Sequence, residues 1–298
     1  MITFEKEKYK LLTFKDATEW REARNNFIPS TSMAVALFYF CEDMDIVENI
    51  SKVDKYINNL STWYYERKMT GDARKFYDTK KAAADPKRQS ILDFGHRHEA
   101  EVAEASLQKL KQRDESFFDA KLECCENRIY YVDGYHFSAT PDYIIHKKDG
   151  SKALLECKTR QAYFKDEEKE QQVVNNLFDK YRVQVQVQQL ATGIQEAYIG
   201  MCRRLDKIDK IDSAADVRQV KPNATLQRAI IQASDDCYNW FDNCLNGRVP
   251  EPILSREEED SKFLLGCLEE FNALRAEKPK VAEKPRGIDI SEVNPFKL

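Results

Sequence analysis

The sequence predicts an α/β protein: a mixed central β-sheet flanked by helices, with a helical elaboration ahead of it. Three observations predict this. Between Lys121 and Thr159, short runs rich in Ile, Val, Tyr and Phe alternate with turn residues, the pattern of successive strands. Two longer segments, about 91–113 and 171–192, repeat apolar residues at helical spacing and frame those strands. Ahead of them, residues 16–92 carry helical patterning and no strand-like run.

In chain order, residues 1–15 read as an arm, followed by a helix over Asp16–Asn25. Pro29-Ser30-Thr31-Ser32 is an N-cap cluster that starts a helix over Met33–Cys41. Helices are expected over Ile46–Asn58 and Thr62–Phe76. Ala82-Ala83-Ala84-Asp85-Pro86 breaks the pattern before a long helix over Ile91–Arg113. The sheet is expected from Lys121–Glu126, Ile129–Val132, Tyr135–Ser138, Asp142–His146, Ala153–Thr159 and Ala197–Arg203. A helix over Gln171–Thr192 lies between the last two strands. On it Tyr181, Gln184, Gln188 and Ala191 share one face, and Val183, Val187, Leu190 and Ile194 another. Solvation is the simplest expectation for Gln186 and Gln189. An amphipathic helix over Ala224–Leu245 covers the sheet, with Ile230, Ile231, Cys237, Trp240, Phe241 and Leu245 inward. Residues 1–245 thus read as one domain: a helical part (16–92), a core (93–203) and the covering helix (224–245). Residues 246–275 read as a linker and short helix (Glu257–Arg275), and 276–298, rich in Lys, Pro and Glu, as a flexible tail.

The chemistry concentrates in Thr140-Pro141-Asp142 and Leu155-Glu156-Cys157-Lys158. Lys148-Asp149-Gly150-Ser151 between them is a turn, so the two pieces form a hairpin. Glu156 and Lys158, two apart on a strand, share a face, while Cys157 points into the packed side. Asp142, Glu156 and the Cys157 carbonyl offer the oxygen donors that Mg²⁺ prefers, with Mn²⁺ a substitute. Lys158 adds a compact charge able to orient water or steady a developing phosphorane. Taken singly, these residues more often make a turn cap and a surface ion pair; their order, the hairpin-length gap and the apolar strand residues on both sides favour the site.

Two further stretches accompany them: Phe94-Gly95-His96-Arg97-His98-Glu99, and Tyr181-Arg182-Val183-Gln184-Val185-Gln186-Val187-Gln188-Gln189-Leu190-Ala191-Thr192-Gly193. With Trp20-Arg21-Glu22-Ala23-Arg24 ahead of them, five motifs run in one order over residues 18–203. In this the chain resembles the lambda-exonuclease-like (YqaJ-type) viral and phage recombinases of the PD-(D/E)xK nuclease superfamily. The resemblance implies a restriction-endonuclease-like core and metal-dependent hydrolysis of DNA, as a 5′→3′ exonuclease on duplex ends in recombination or viral DNA processing. It makes Glu99, Asp142 and Glu156 metal ligands, Lys158 the catalytic lysine, and Gln184 a support for the attacking water or bound phosphate. Arg24 and a hydroxyl among Ser30, Thr31 and Ser32 would hold the 5′ phosphate. Phe27-Ile28-Pro29-Ser30-Thr31-Ser32 departs from the family's usual Ile-Gly/Thr-Ala/Gly-Ser, and 41–92 is longer and more charged than its counterpart. The family often forms ring-like trimers and works with a single-strand annealing protein. The alternatives are a structure-specific endonuclease on the same scaffold and a non-catalytic nucleic-acid-binding subunit.

Composition agrees. No apolar run is long enough for a membrane helix and no signal pattern opens the chain, so a cytoplasmic protein is expected, a nuclear one being compatible with a eukaryotic host. Eight scattered cysteines, with no Cys-x-x-Cys, read as reduced thiols. Net charge is −4, so local distribution matters more than the sum. Basic residues at 67–68, 74–75, 80–81 and 87–88 interleave with Trp63, Tyr64, Tyr65, Phe76 and Tyr77. That suits nucleic-acid stacking or, equally, a helix pair with a solvated charged face. His98 is placed near the site or facing DNA, and His136 and His146 as ordinary strand residues.

Overall fold

The computed structural model describes residues 2–53, 59–161, 167–205 and 209–277. The chain runs β1 (Tyr9–Thr13), α1 (Ala17–Arg24), β2 (Ile28–Pro29), α2 (Met33–Phe40), α3 (Met44–Val53), α4 (Leu60–Lys68), α5 (Gly71–Ala84), α6 (Pro86–Arg113), β3 (Lys121–Cys124), β4 (Arg128–Val132) and β5 (Phe137–Ala139). It continues through β6 (Tyr143–His146), β7 (Lys152–Gln161), α7 (Glu167–Thr192), β8 (Ala197–Arg204), β9 (Asp216–Gln219), α8 (Ala224–Leu245) and α9 (Glu259–Glu277). This is the mixed α/β class expected. The Ile46–Asn58 helix extends beyond the described residues, and the flexible-tail reading falls largely on 278–298, also outside them.

The strands form two mixed sheets rather than one, in the orders β1-β4-β5-β2 and β3-β6-β7-β8-β9. The expected N-terminal arm is therefore partly a strand, pairing antiparallel with β4 from Tyr9↔Val132 to Thr13↔Arg128. Tyr9-Lys10-Leu11-Leu12-Thr13 is short and shows no alternation, and only the distant partner makes it a strand. Strands β4 and β5, assigned from sequence to the central sheet, belong to the smaller one. In the larger sheet, β7 pairs antiparallel with β6 and parallel with β8, with α7 as the crossover.

Helix α7 touches β4 and β5 of one sheet and β7 and β8 of the other. Its C-terminal half, residues 183–191, is covered on both sides and has little solvated face. That overturns the solvent-facing reading of Gln186 and Gln189: both are fully buried, along with Gln188, Val185 and Val187. Their amides are accommodated because each makes hydrogen bonds inside. On β7, Ala153, Leu155 and Cys157 join a core that includes Val102, Leu107 and Leu110 of α6. Leu154 on the opposite face packs with Val174, Phe178 and Val185 of α7. Helix α6 approaches β8 closely. A Cβ on Gly200 would stand 2.0 Å from Ser106 Oγ, so only glycine fits there.

The chain divides into two compact units, 1–58 with 86–251, and 59–85 with 252–298. In the second, α4, α5 and α9 surround a core containing Met69, Tyr77, Leu264 and Cys267. The single helix expected over Thr62–Phe76 is two, broken at Met69–Thr70. Trp63 and Tyr64 are buried, and the Arg67 guanidinium lies 5.2 Å from the centroid of the Trp63 ring. Tyr65, Phe76 and Tyr77 thus pack into this unit's interior, in keeping with the second of the two readings of that segment.

Candidate active site

Hairpin register builds the centre. Asp149 accepts a hydrogen bond from Ser151 N at 2.9 Å and Gly150 adopts φ +83°, closing the turn between β6 and β7. With Tyr143 opposite Leu155, the residue before β6, Asp142, falls beside Glu156. Asp142 Oδ2 accepts from Cys157 N at 2.7 Å, which fixes its rotamer. Lys158 Nζ donates to Glu156 Oε1 and lies 3.8 Å from Asp142 Oδ2. From α7, Gln184 Nε2 donates to the same Glu156 oxygen at 2.6 Å and Gln188 Nε2 to Glu156 Oε2. The Tyr181 ring sits 5.0 Å from Lys158 Nζ, a cation–π contact. One helical face, at positions 181, 184 and 188, thus orders both the acid and the lysine. Gln188, placed from sequence on the same face as Gln184 but given no contact of its own, holds the second Glu156 oxygen.

The electrostatics follow from crowding. Glu156 is fully buried. Burial and then the Glu156 carboxylate hold Asp142 well above the usual aspartate range. Burial also raises Glu99, with Lys158 pulling against it and Glu156 adding to it. For Lys158, burial acts downward, but Glu156 and Asp142 outweigh it and keep the ammonium above the ordinary lysine range. The Cys157 thiol is pushed well up by burial, which keeps it neutral in its apolar packing.

Glu99, Asp142, Glu156, Lys158 and Gln184 line one cavity of about 590 Å³, and Arg24, Ser30 and Thr31 line it too. Arg24 reaches Thr31 Oγ1 through Nη2 and lies over the Trp20 indole, 4.9 Å from its centroid. Trp20 Nε1 donates to Arg128 O at 3.2 Å and to Thr140 Oγ1 at 3.3 Å, tying α1 to the strand ahead of Asp142. Ser32 does not line the cavity. His98 is buried between Phe94, Glu101 and Asp209, with Nδ1 2.9 Å from Glu101 Oε1. His96, its neighbour, lines the cavity. His136 precedes β5 rather than lying within it, stacked on Tyr238 and 2.9 Å from Asp235.

Among the described residues, no three carboxylate, imidazole or thiol groups stand together as a ready metal cage. Lys158, spanning Glu156 and Asp142, supplies positive charge there. The donor chemistry nonetheless suits a hard cation: carboxylates withdrawn from water and raised in pKa by one another are what a divalent ion relieves.

Residues 19–195 match the profile of the YqaJ-like viral recombinase domain. Among curated proteins nothing matches. Among solved structures, the chain is similar to the alkaline exonuclease LHK-Exo from Laribacter hongkongensis, at 12% identity and TM-score 0.44, covering 77% of this chain and 97% of that one. LHK-Exo in complex with dAMP gives 12% identity and 0.45, covering 77% and 95%. A phage related exonuclease from Haemophilus somnus 129PT gives 11% and 0.38, covering 74% and 95%.

Proposed function

Since the chain belongs to the YqaJ-like viral recombinase domain family, we propose that it hydrolyses DNA phosphodiester bonds as a divalent-cation-dependent 5′→3′ exonuclease acting on duplex ends. The observation that carries this reading is the meeting in one cavity of Glu99, Asp142, Glu156, Lys158 and Gln184 with Arg24 and Thr31.

Glu99, Asp142, Glu156 and the Cys157 carbonyl would hold Mg²⁺ or Mn²⁺. When bound, such an ion polarises the scissile phosphate and acidifies a coordinated water. Lys158, kept charged by its two acidic neighbours, stabilises negative charge gathering on the phosphoryl oxygens. Gln184 and Gln188 hold Glu156 so that its carboxylate does not swing with each turnover. Arg24 places a planar guanidinium where the terminal phosphate, richer in charge than an internal diester, is distinguished. On the same reading the protein works inside the cell as a homotrimer with a single-strand annealing protein.

The test is end-labelled linear duplex beside closed circular DNA, each with Mg²⁺ and with EDTA. Mononucleotide release from linear DNA alone, with Mg²⁺ alone, is expected. Cutting of the closed circle would replace the exonuclease by an endonuclease, and intact linear DNA in Mg²⁺ would leave a binding subunit.

A further inference from the structure

Two buried glutamines of α7 point away from Glu156 and build something else. Gln186 donates to Lys221 O at 2.8 Å and accepts from Asn223 N at 2.9 Å. Gln189 donates to Val220 O at 2.9 Å and to Gln195 O at 2.6 Å. The segment between β9 and α8 is thereby pinned to the protein interior, and it forms one wall of a cavity of about 600 Å³. Phe178 and Arg182 of α7 and Arg218 of β9 complete that cavity, which shares no residue with the catalytic one.

The charge inside is lopsided. The Arg218 guanidinium lies over the Phe178 ring, 4.2 Å from its centroid. Neither Arg218 nor the Lys221 ammonium has a carboxylate partner among the described residues. Arg182 is paired with Asp179 at 2.8 Å. Three cationic residues and one carboxylate therefore line the cavity, with only Arg182 of the three paired with a carboxylate among the described residues, in a protein whose net charge is −4. The start of α8 adds little, since the Asn223 side chain already accepts from Thr225 N and Leu226 N. The anion affinity lies with Arg218, Lys221 and Arg182, on walls set in place before any ligand arrives.

We propose that this cavity is a second phosphate-binding site, which takes the sugar-phosphate backbone of a DNA strand outside the catalytic cavity. That its ligand is DNA rests on the nuclease reading; that it takes phosphate rests on the cations alone. Helix α7 would then hold two sites in fixed relation, one cutting a strand and one gripping it.

The experiment is a fluorescence-anisotropy titration in EDTA with labelled single-stranded and duplex oligonucleotides, at several salt concentrations. The proteins are the wild type, Arg218→Ala/Lys221→Ala, and Lys221→Glu. Lys221 is exposed, so the last variant folds even if loss of the Arg218–Phe178 stack does not leave the double variant intact. Affinity for at least one oligonucleotide should fall about tenfold in the double variant and the salt slope should drop by about 2, while Lys221→Glu lowers both less. Cleavage at saturating DNA with Mg²⁺ should keep its kcat while KM rises. Unchanged affinity and salt slope for both oligonucleotides in the variants would overturn the proposal, as would weakened binding of dAMP or pyrophosphate with oligonucleotide binding intact. Weakened oligonucleotide binding in a protein whose wild type cuts no DNA would keep this site and remove the nuclease reading.

Discussion

At the scale of single residues, the centre is a set of groups each held in place by another. Asp142 carries the clearest consequence. Its folded-state carboxyl titrates above the unfolded value, so folding favours the protonated form. That contribution is full below the ordinary aspartate range and is lost as pH rises through the raised value. Asp142→Asn should abolish cleavage at every pH. With metal chelated, its stability relative to wild type should improve in urea denaturation as pH rises above the ordinary aspartate range. A wild type that gains on the variant over that rise would contradict the electrostatic picture. For Lys158, replacement by Ala should cost about 10²–10³-fold in kcat with little change in DNA affinity, since the charge acts on the transition state. Equal losses in both would make it a phosphate anchor instead. Gln188→Met keeps the volume and removes the donor to Glu156 Oε2. Mn²⁺ affinity by calorimetry should weaken about 10- to 100-fold, with KM for DNA and melting temperature little moved. A melting temperature that falls while Mn²⁺ affinity holds would assign Gln188 to packing alone.

At the scale of elements, two glycines make opposite forecasts. Gly200→Ala drives a methyl into Ser106 and should cost about 1–3 kcal/mol by chemical denaturation, with Ser106→Gly restoring most of it. Gly95, which opens the Gly–Glu motif, has only Thr159 Oγ1 near its missing Cβ, at 3.5 Å, an ordinary contact. Gly95→Ala should therefore stabilise α6 by up to about 1 kcal/mol. A loss at that position would mean that the contact with Thr159 is tighter than the ordinary one found there and requires the glycine. These elements also show what could be read ahead. The β6–β7 hairpin was legible because Asp149-Gly150 and two apolar runs state it locally, and α8 because its apolar stripe is regular. Strand β1 and the two-residue β2 were not, since each owes its conformation to a partner more than a hundred residues away. Gln186 and Gln189 were misread because polarity reads as exposure unless the second covering layer is known.

At the scale of the whole molecule, the candidate catalytic cavity gathers residues from α1, the turn at Ser30–Thr31, α6, the hairpin and α7. The hairpin acids announce themselves by order and spacing, whereas the meeting of Arg24 with that hairpin depends on Trp20 reaching Arg128 and Thr140. Degradation of 5′-phosphorylated ends should outpace that of 5′-hydroxyl ends, and Arg24→Ala should erase most of the difference with the metal-dependent rate on hydroxyl ends preserved. Equal rates on both ends in wild type would take Arg24 out of substrate recognition and leave the acids untouched.

The burial of α7 between two sheets has a consequence for how the protein is born. Glu156 leaves the ribosome before Gln184 and Gln188, and the segment that Gln186 and Gln189 pin comes later still. At about 5–20 residues per second, seconds pass in which the acids exist and nothing holds them. The long-range pairing of β1 with β4 adds to the wait. The carboxylate of Glu156 thus cannot be held as it is in the folded protein until the helix that carries Gln184 and Gln188 has been made and enclosed.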